Sequence, residues 1–80
     1  MKLKHFIQLD RYRFVLTFAN GEIKEADLQA LIGQHVAGEL LYTAHIDPEW
    51  GCLEFLGGKV DIEPKTLYRY AGGIVNQQAA

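Results

Sequence analysis

The stretch Arg11-Tyr12-Arg13-Phe14-Val15-Leu16-Thr17-Phe18-Ala19-Asn20-Gly21-Glu22 decides how this chain is built. Tyr12, Phe14, Leu16 and Phe18 recur at every second position, with Arg11, Arg13, Val15 and Thr17 between them. Successive side chains of an extended strand point to opposite faces, so this period of two puts the four large apolar groups on one face. Asn20-Gly21 follows at once. Both residues tolerate the positive φ of a two-residue type I′ turn, and the strand is expected to reverse there into a hairpin. The returning strand is expected over residues 22–27. Ile23 and Ala26 fall on its opposite faces, so a bulge is expected near Lys24-Glu25.

Working outward, Leu3, His5, Ile7 and Leu9 alternate with Lys2, Lys4, Phe6 and Gln8. This predicts a further strand that turns at Asp10 into the hairpin, with the first set on one face. Downstream, Asp27 is placed to cap a helix over residues 28–32, its carboxylate accepting from the unpaired amides of the first turn. Leu28, Leu31 and Ile32 share a face of that helix and Gly33 ends it. A helix this short does not stand alone and has to dock on the sheet. Residues 40–46 alternate again, Leu40, Tyr42, Ala44 and Ile46 against Leu41, Thr43 and His45, and predict a strand. Asp47-Pro48-Glu49-Trp50-Gly51 reads as a loop. Residues 52–56 read as a strand with Leu53 and Phe55 inward, Gly57-Gly58 as a tight reversal, and residues 60–62 as a short extended piece. Pro64 opens the last helix, where its missing amide costs nothing. Leu67, Tyr68 and Ala71 carry that helix to a stop at Gly72-Gly73. The expected fold class is α+β: a small, mostly antiparallel sheet of four to five strands with two short helices. Residues 1–74 are expected to form one domain and residues 75–80 a loose tail.

Eighty residues at 9.0 kDa hide only about 60% of the unfolded chain's surface, so the core is thin. An apolar fraction of 49% and a charged fraction of 22% exclude disordered, coiled-coil and collagen-like chains. With a net charge of −2 and a pI near 5.8, no global field draws the protein to nucleic acid or anionic lipid. The longest apolar runs are a few residues, such as Phe14-Val15-Leu16, too short for a membrane span or a signal-peptide core. Cys52 is the single cysteine, which rules out an internal disulfide and points to a reducing, cytoplasmic location. No serine is present, and with it goes every serine nucleophile.

Two segments together resemble a family of small bacterial proteins, the domain of unknown function numbered 2442. The first is Tyr12 to Gly21 followed by Glu25-Ala26-Asp27-Leu28, similar to that family's aromatic-rich strand, polar-Gly turn, second strand and Asp-Leu. The second is Gly58-Lys59-Val60-Asp61-Ile62-Glu63-Pro64-Lys65-Thr66-Leu67-Tyr68, similar to the family's C-terminal signature. The resemblance spans Tyr12 to Tyr68 and is poorest over residues 34–49. Phe55 stands where the family often has tryptophan, and Leu56-Gly57-Gly58 where it tends to have Pro-Asn-Gly. The resemblance implies an α+β domain without an established activity. Some relatives are fused to a helix-turn-helix DNA-binding domain, which this chain is expected to lack. Others are thought to be encoded beside a second small protein in toxin–antitoxin-like pairs. No catalytic residue carries over.

Candidate chemistry is sparse. Asp27, Asp61 and Glu63 are carboxylates of the type used in acid–base catalysis, yet their positions at helix starts make them dipole-compensating groups. His5, His35, His45 and Cys52 are permitted metal ligands, but no recognised ligand spacing links them. His45 and Cys52 are expected to face each other across the Asp47-Pro48 loop, two ligands where a tetrahedral site needs four. The glycine pairs lack a phosphate-cradling context and read as turns. No catalytic, cofactor or metal residue is therefore assigned, and no enzyme is expected.

Two surfaces remain. Trp50, Tyr42 and Tyr70 are aromatics that so small a domain has difficulty burying fully, and such residues either anchor interfaces or cover the protein's own core. Lys2, Lys4, Arg11 and Arg13 make the segment up to Gly21 basic, four cations against one carboxylate, while the remainder carries four cations against nine. On the predicted strands those four lie on the non-core face, as a phosphate-facing patch or a solvated face with charged edges. The sequence thus supports a non-enzymatic interaction or regulatory module that binds a protein partner or itself. The alternative is a nucleic-acid-associated regulator using the basic face. Neither reading involves a cofactor or a membrane.

Overall fold

The computed structural model describes residues 1–71. Six strands form two antiparallel sheets. In the first, β1 (Leu3–Asp10), β2 (Arg13–Phe18) and β3 (Ile23–Asp27) lie in the order β1-β2-β3. In the second, β4 (His45–Ile46), β5 (Leu53–Phe55) and β6 (Val60–Ile62) lie in the order β4-β5-β6. Helix α1 (Gln29–Ile32) and a 3₁₀ helix (Gly38–Thr43) connect the sheets, and α2 (Pro64–Tyr70) follows β6. The α+β class stands, with the strands divided between two sheets rather than gathered in one. Gly72-Gly73 and residues 75–80 lie outside the described residues.

The alternation of β2 sets the core. Tyr12, Phe14, Leu16 and Phe18 are all buried, and Phe14 meets Phe55 of the second sheet edge-on with ring centroids 6.1 Å apart. Both sheets and both helices thus close over one cluster, which includes Leu28, Leu53 and Leu67. The Tyr12 hydroxyl donates to the Val36 carbonyl at 2.6 Å, holding the segment after α1 against β2.

The hairpin turn is longer than a type I′ reversal. The Phe18 amide donates to the Glu22 carbonyl and the Gly21 amide to the Phe18 carbonyl, enclosing a three-residue loop. Gly21 takes φ +90°, but Asn20 keeps negative φ and uses its side-chain oxygen to accept from the Glu22 amide at 2.9 Å. A turn followed by one left-handed glycine suits the twist of a hairpin equally well. The bulge expected near Lys24-Glu25 does not occur: β2 and β3 pair in unbroken register from Arg13↔Asp27 to Thr17↔Ile23. Lys24 instead occupies a core-face position opposite Leu16. Its ammonium lies 3.6 Å from the Tyr68 ring centroid and donates to the Tyr68 carbonyl at 3.3 Å.

Further expectations are corrected. In β1 the register shifts between Leu3 and His5, which reverses the phase of the strand. Leu3 and Phe6 pack on the core, while His5, Ile7 and Leu9 are exposed. Residues 40–43 form the 3₁₀ helix and not a strand, because Leu41 and Ala44, three residues apart, are the pair that packs inward. α1 begins one residue later than expected, with Leu28 rather than Asp27 at its cap position, and the Asp27 carboxylate, one residue further out, accepts from the Gln29 amide at 3.0 Å. At α2, Pro64 opens the helix, but Glu63 makes no side-chain capping bond.

Candidate interaction surface

The loop after β4 is built around Asp47. Its carbonyl accepts from the Gly51 amide, its amide donates to the Cys52 carbonyl, and its carboxylate accepts from the Glu49 amide. Gly51 takes φ +73°, and a side chain there would overlap that of Lys2 and come within 2.9 Å of the Lys2 Cα. The close approach lets the Leu3 amide donate to the Gly51 carbonyl at 3.1 Å, tying the start of β1 to the loop. Trp50, next to this tie, projects outward and is 66% exposed.

Around Trp50 lies a depression of about 510 Å³. Met1, Cys52 and Pro64 give it an apolar lining, and Lys2, Lys65, Asp47, Asp61 and Glu63 supply charges of both signs. The sequence gives no signal for this gathering, because the N-terminus, the loop and the start of α2 meet only through the fold. Tyr42 is 78% exposed on the outer side of the 3₁₀ helix. Tyr70 ends α2 and lines a separate hollow with Asp27, Gln29 and Ala30. The three aromatics are thus all at the surface, but Trp50 and Tyr70 belong to different depressions.

The chemical candidates do not converge. His45 is the cross-strand partner of Glu54, and its Nε2 lies 2.8 Å from the Glu54 carboxylate; Cys52 falls beyond this register, beside Asp47. The Cys52 thiol is pushed up by burial first, and then by the negative charge of Asp61, Asp47, Glu54 and Glu63. That environment opposes the thiolate a nucleophile or metal ligand needs. His5 and His35 are exposed, and no three metal-ligating side chains cluster among the described residues.

The four basic residues are also dispersed in role. Lys2 lines the Trp50 depression and Lys4 is exposed on β1. Arg11 occupies the turn after β1 with φ +49°. Arg13 is held by Glu25 at 2.5 Å and by Asp10 at 3.0 Å. No described helix is long and apolar enough to cross a membrane.

A family model described as a protein of unknown function, DUF2442, matches residues 5–73. The chain belongs to the DUF2442 family. No curated protein and no solved structure matches it. The DUF2442 match runs beyond the two segments legible in the sequence, back to His5 in β1 and on to Gly73. It takes in both sheets, the Trp50 loop and α2.

Proposed function

We propose that this DUF2442 protein is a non-enzymatic interaction or regulatory module, acting in the cytoplasm, that binds a protein partner through Trp50 and the depression around it. The observation that carries this reading is the indole itself. A large, rigid aromatic two-thirds in water, over an apolar floor and ringed by charges of both signs, has the composition of an interface anchor with a polar rim. Tyr42 and Tyr70 are further exposed aromatics, on the 3₁₀ helix and at a separate hollow. The family resemblance supports a second small protein as the partner, as in toxin–antitoxin-like pairs.

Trp50 is the only tryptophan, so its fluorescence reports this surface alone. Titration with the product of the adjacent gene is expected to blue-shift that emission. Trp50→Ala is expected to weaken binding by roughly 30-fold or more, as truncation of an interface anchor does, with the far-UV spectrum unchanged. Binding that is indifferent to Trp50→Ala overturns the assignment. Nucleic-acid binding through Lys2, Lys4, Arg11 and Arg13 has weaker support, because Asp10 and Glu25 already neutralise Arg13.

A further inference from the structure

α2 hangs from β6 by a single extended residue, Glu63, at φ −65° and ψ 148°, and no side chain caps the helix there. Its main-chain bonds stay within itself: the Leu67 amide donates to the Glu63 carbonyl and the Ala71 amide to the Leu67 carbonyl. Leu67 is its one buried side chain. Among the described residues, every hydrogen bond from α2 to another element lies on Tyr68. The Tyr68 hydroxyl donates to the Glu22 carboxylate at 2.5 Å, and the Tyr68 carbonyl accepts from the Lys24 ammonium. The same ring takes that ammonium on its face and meets Phe18 edge-on, with centroids 5.2 Å apart.

The seat of α2 is of two kinds. Around Leu67 it is the apolar core. Around Tyr68 it is charged: Lys24 stands on the core face of β3, opposite Leu16, where a strand covered for good carries an apolar residue. Water serves Glu22 and Lys24 as well as Tyr68 does, so lifting α2 leaves neither of them unpaired. We propose that α2 is a hinged flap that opens from the sheets as a unit at Glu63, with Glu22 and Lys24 holding Tyr68 as its latch. Opening gives up the burial of Leu67 and the contact with Phe18. It leaves both sheets and the packing of Phe14 on Phe55 in place, so it costs less than global unfolding. α2 carries Lys65 of the Trp50 depression and Tyr70 of the separate hollow, and both surfaces are complete only while the latch is closed.

Hydrogen exchange of the native protein, read amide by amide by NMR, tests the flap and the latch separately. The Leu67 and Ala71 amides are expected to exchange at least about tenfold faster than the ladder amides of β2. Their rates should also depend less on added urea, because opening exposes less surface than unfolding. Tyr68→Phe removes only the hydroxyl, and Glu22→Ala removes its acceptor without altering α2. Each is expected to quicken Leu67 and Ala71 about fivefold or more. Tyr12→Phe deletes the bond to the Val36 carbonyl, which is the same whether α2 is shut or open. It is expected to quicken the β2 amides while leaving Leu67 and Ala71 within about twofold of the parent. Leu67 and Ala71 amides that exchange no faster than those of β2, or that follow Tyr12→Phe, overturn the flap. Rates there that are indifferent to both Tyr68→Phe and Glu22→Ala overturn the latch.

Discussion

At the scale of single residues, Cys52 shows how position decides chemistry. It is 8% exposed, and four carboxylates surround it at longer range. Its proton is held more tightly in the folded chain than in the unfolded one. The native state therefore has this contribution in full below the ordinary thiol range and loses it as pH rises through the elevated folded pKa. Alkylation follows the thiolate and access together. The native protein is expected to label with iodoacetamide at least about tenfold more slowly than the urea-unfolded chain at pH 8. Its rate should go on climbing at pH values where the unfolded chain has reached its plateau. Equal rates in the two states would contradict the burial. The sequence marked Cys52 as the sole thiol but set it opposite His45. A two-residue strand and a five-residue loop leave that register open, and the Asp47 bonds close it one pair earlier.

At the scale of elements, β2 was legible because its two faces differ so sharply. The phase of β1 was not. Its reversal depends on Gly51 taking the Leu3 amide and on Phe6 reaching Phe14, ring centroid to ring centroid at 5.9 Å, and neither contact is local. The 3₁₀ helix was hidden for a related reason: Leu40-Leu41-Tyr42 offers apolar groups at every spacing, so periodicity cannot choose. Two left-handed glycines separate local from tertiary constraint. Gly21 has open space about its missing side chain, so Gly21→Ala is expected to cost only the backbone strain, about 1 kcal/mol. Gly51→Ala adds overlap with the Lys2 backbone and is expected to cost more, roughly 2–3 kcal/mol. Urea denaturation of both variants checks the order, and equal costs would show that the loop yields freely around Lys2.

At the scale of the whole molecule, two small sheets have to share one core because neither can bury its own apolar face. Phe14 is the hinge of that arrangement, fully buried and in ring contact with Phe6 and Phe55. Phe14→Ala is expected to cost about 3–5 kcal/mol. That is a large share of the roughly 4–12 kcal/mol available to a domain of this length. Tyr42→Ala, at a side chain almost wholly in water, is expected to stay within about 0.5 kcal/mol of the parent. Denaturant midpoints for the pair test whether one core serves both sheets. The class of fold was readable from alternation and turn chemistry. The division into two sheets was not, since strand pairing across the connection at residues 28–44 leaves no periodic trace.

The bond from Leu3 to Gly51 has a consequence for a chain made from its N-terminus onward. β1 leaves the ribosome before its mooring, which lies beyond β2, β3, α1 and β4 in the chain. Until then the β1-β2-β3 meander shows Phe14, Leu16 and Phe18 to solvent without Phe55 or Leu67 to cover them. The nascent chain thus passes through an interval in which its most adhesive surface is complete and its cover is still being translated.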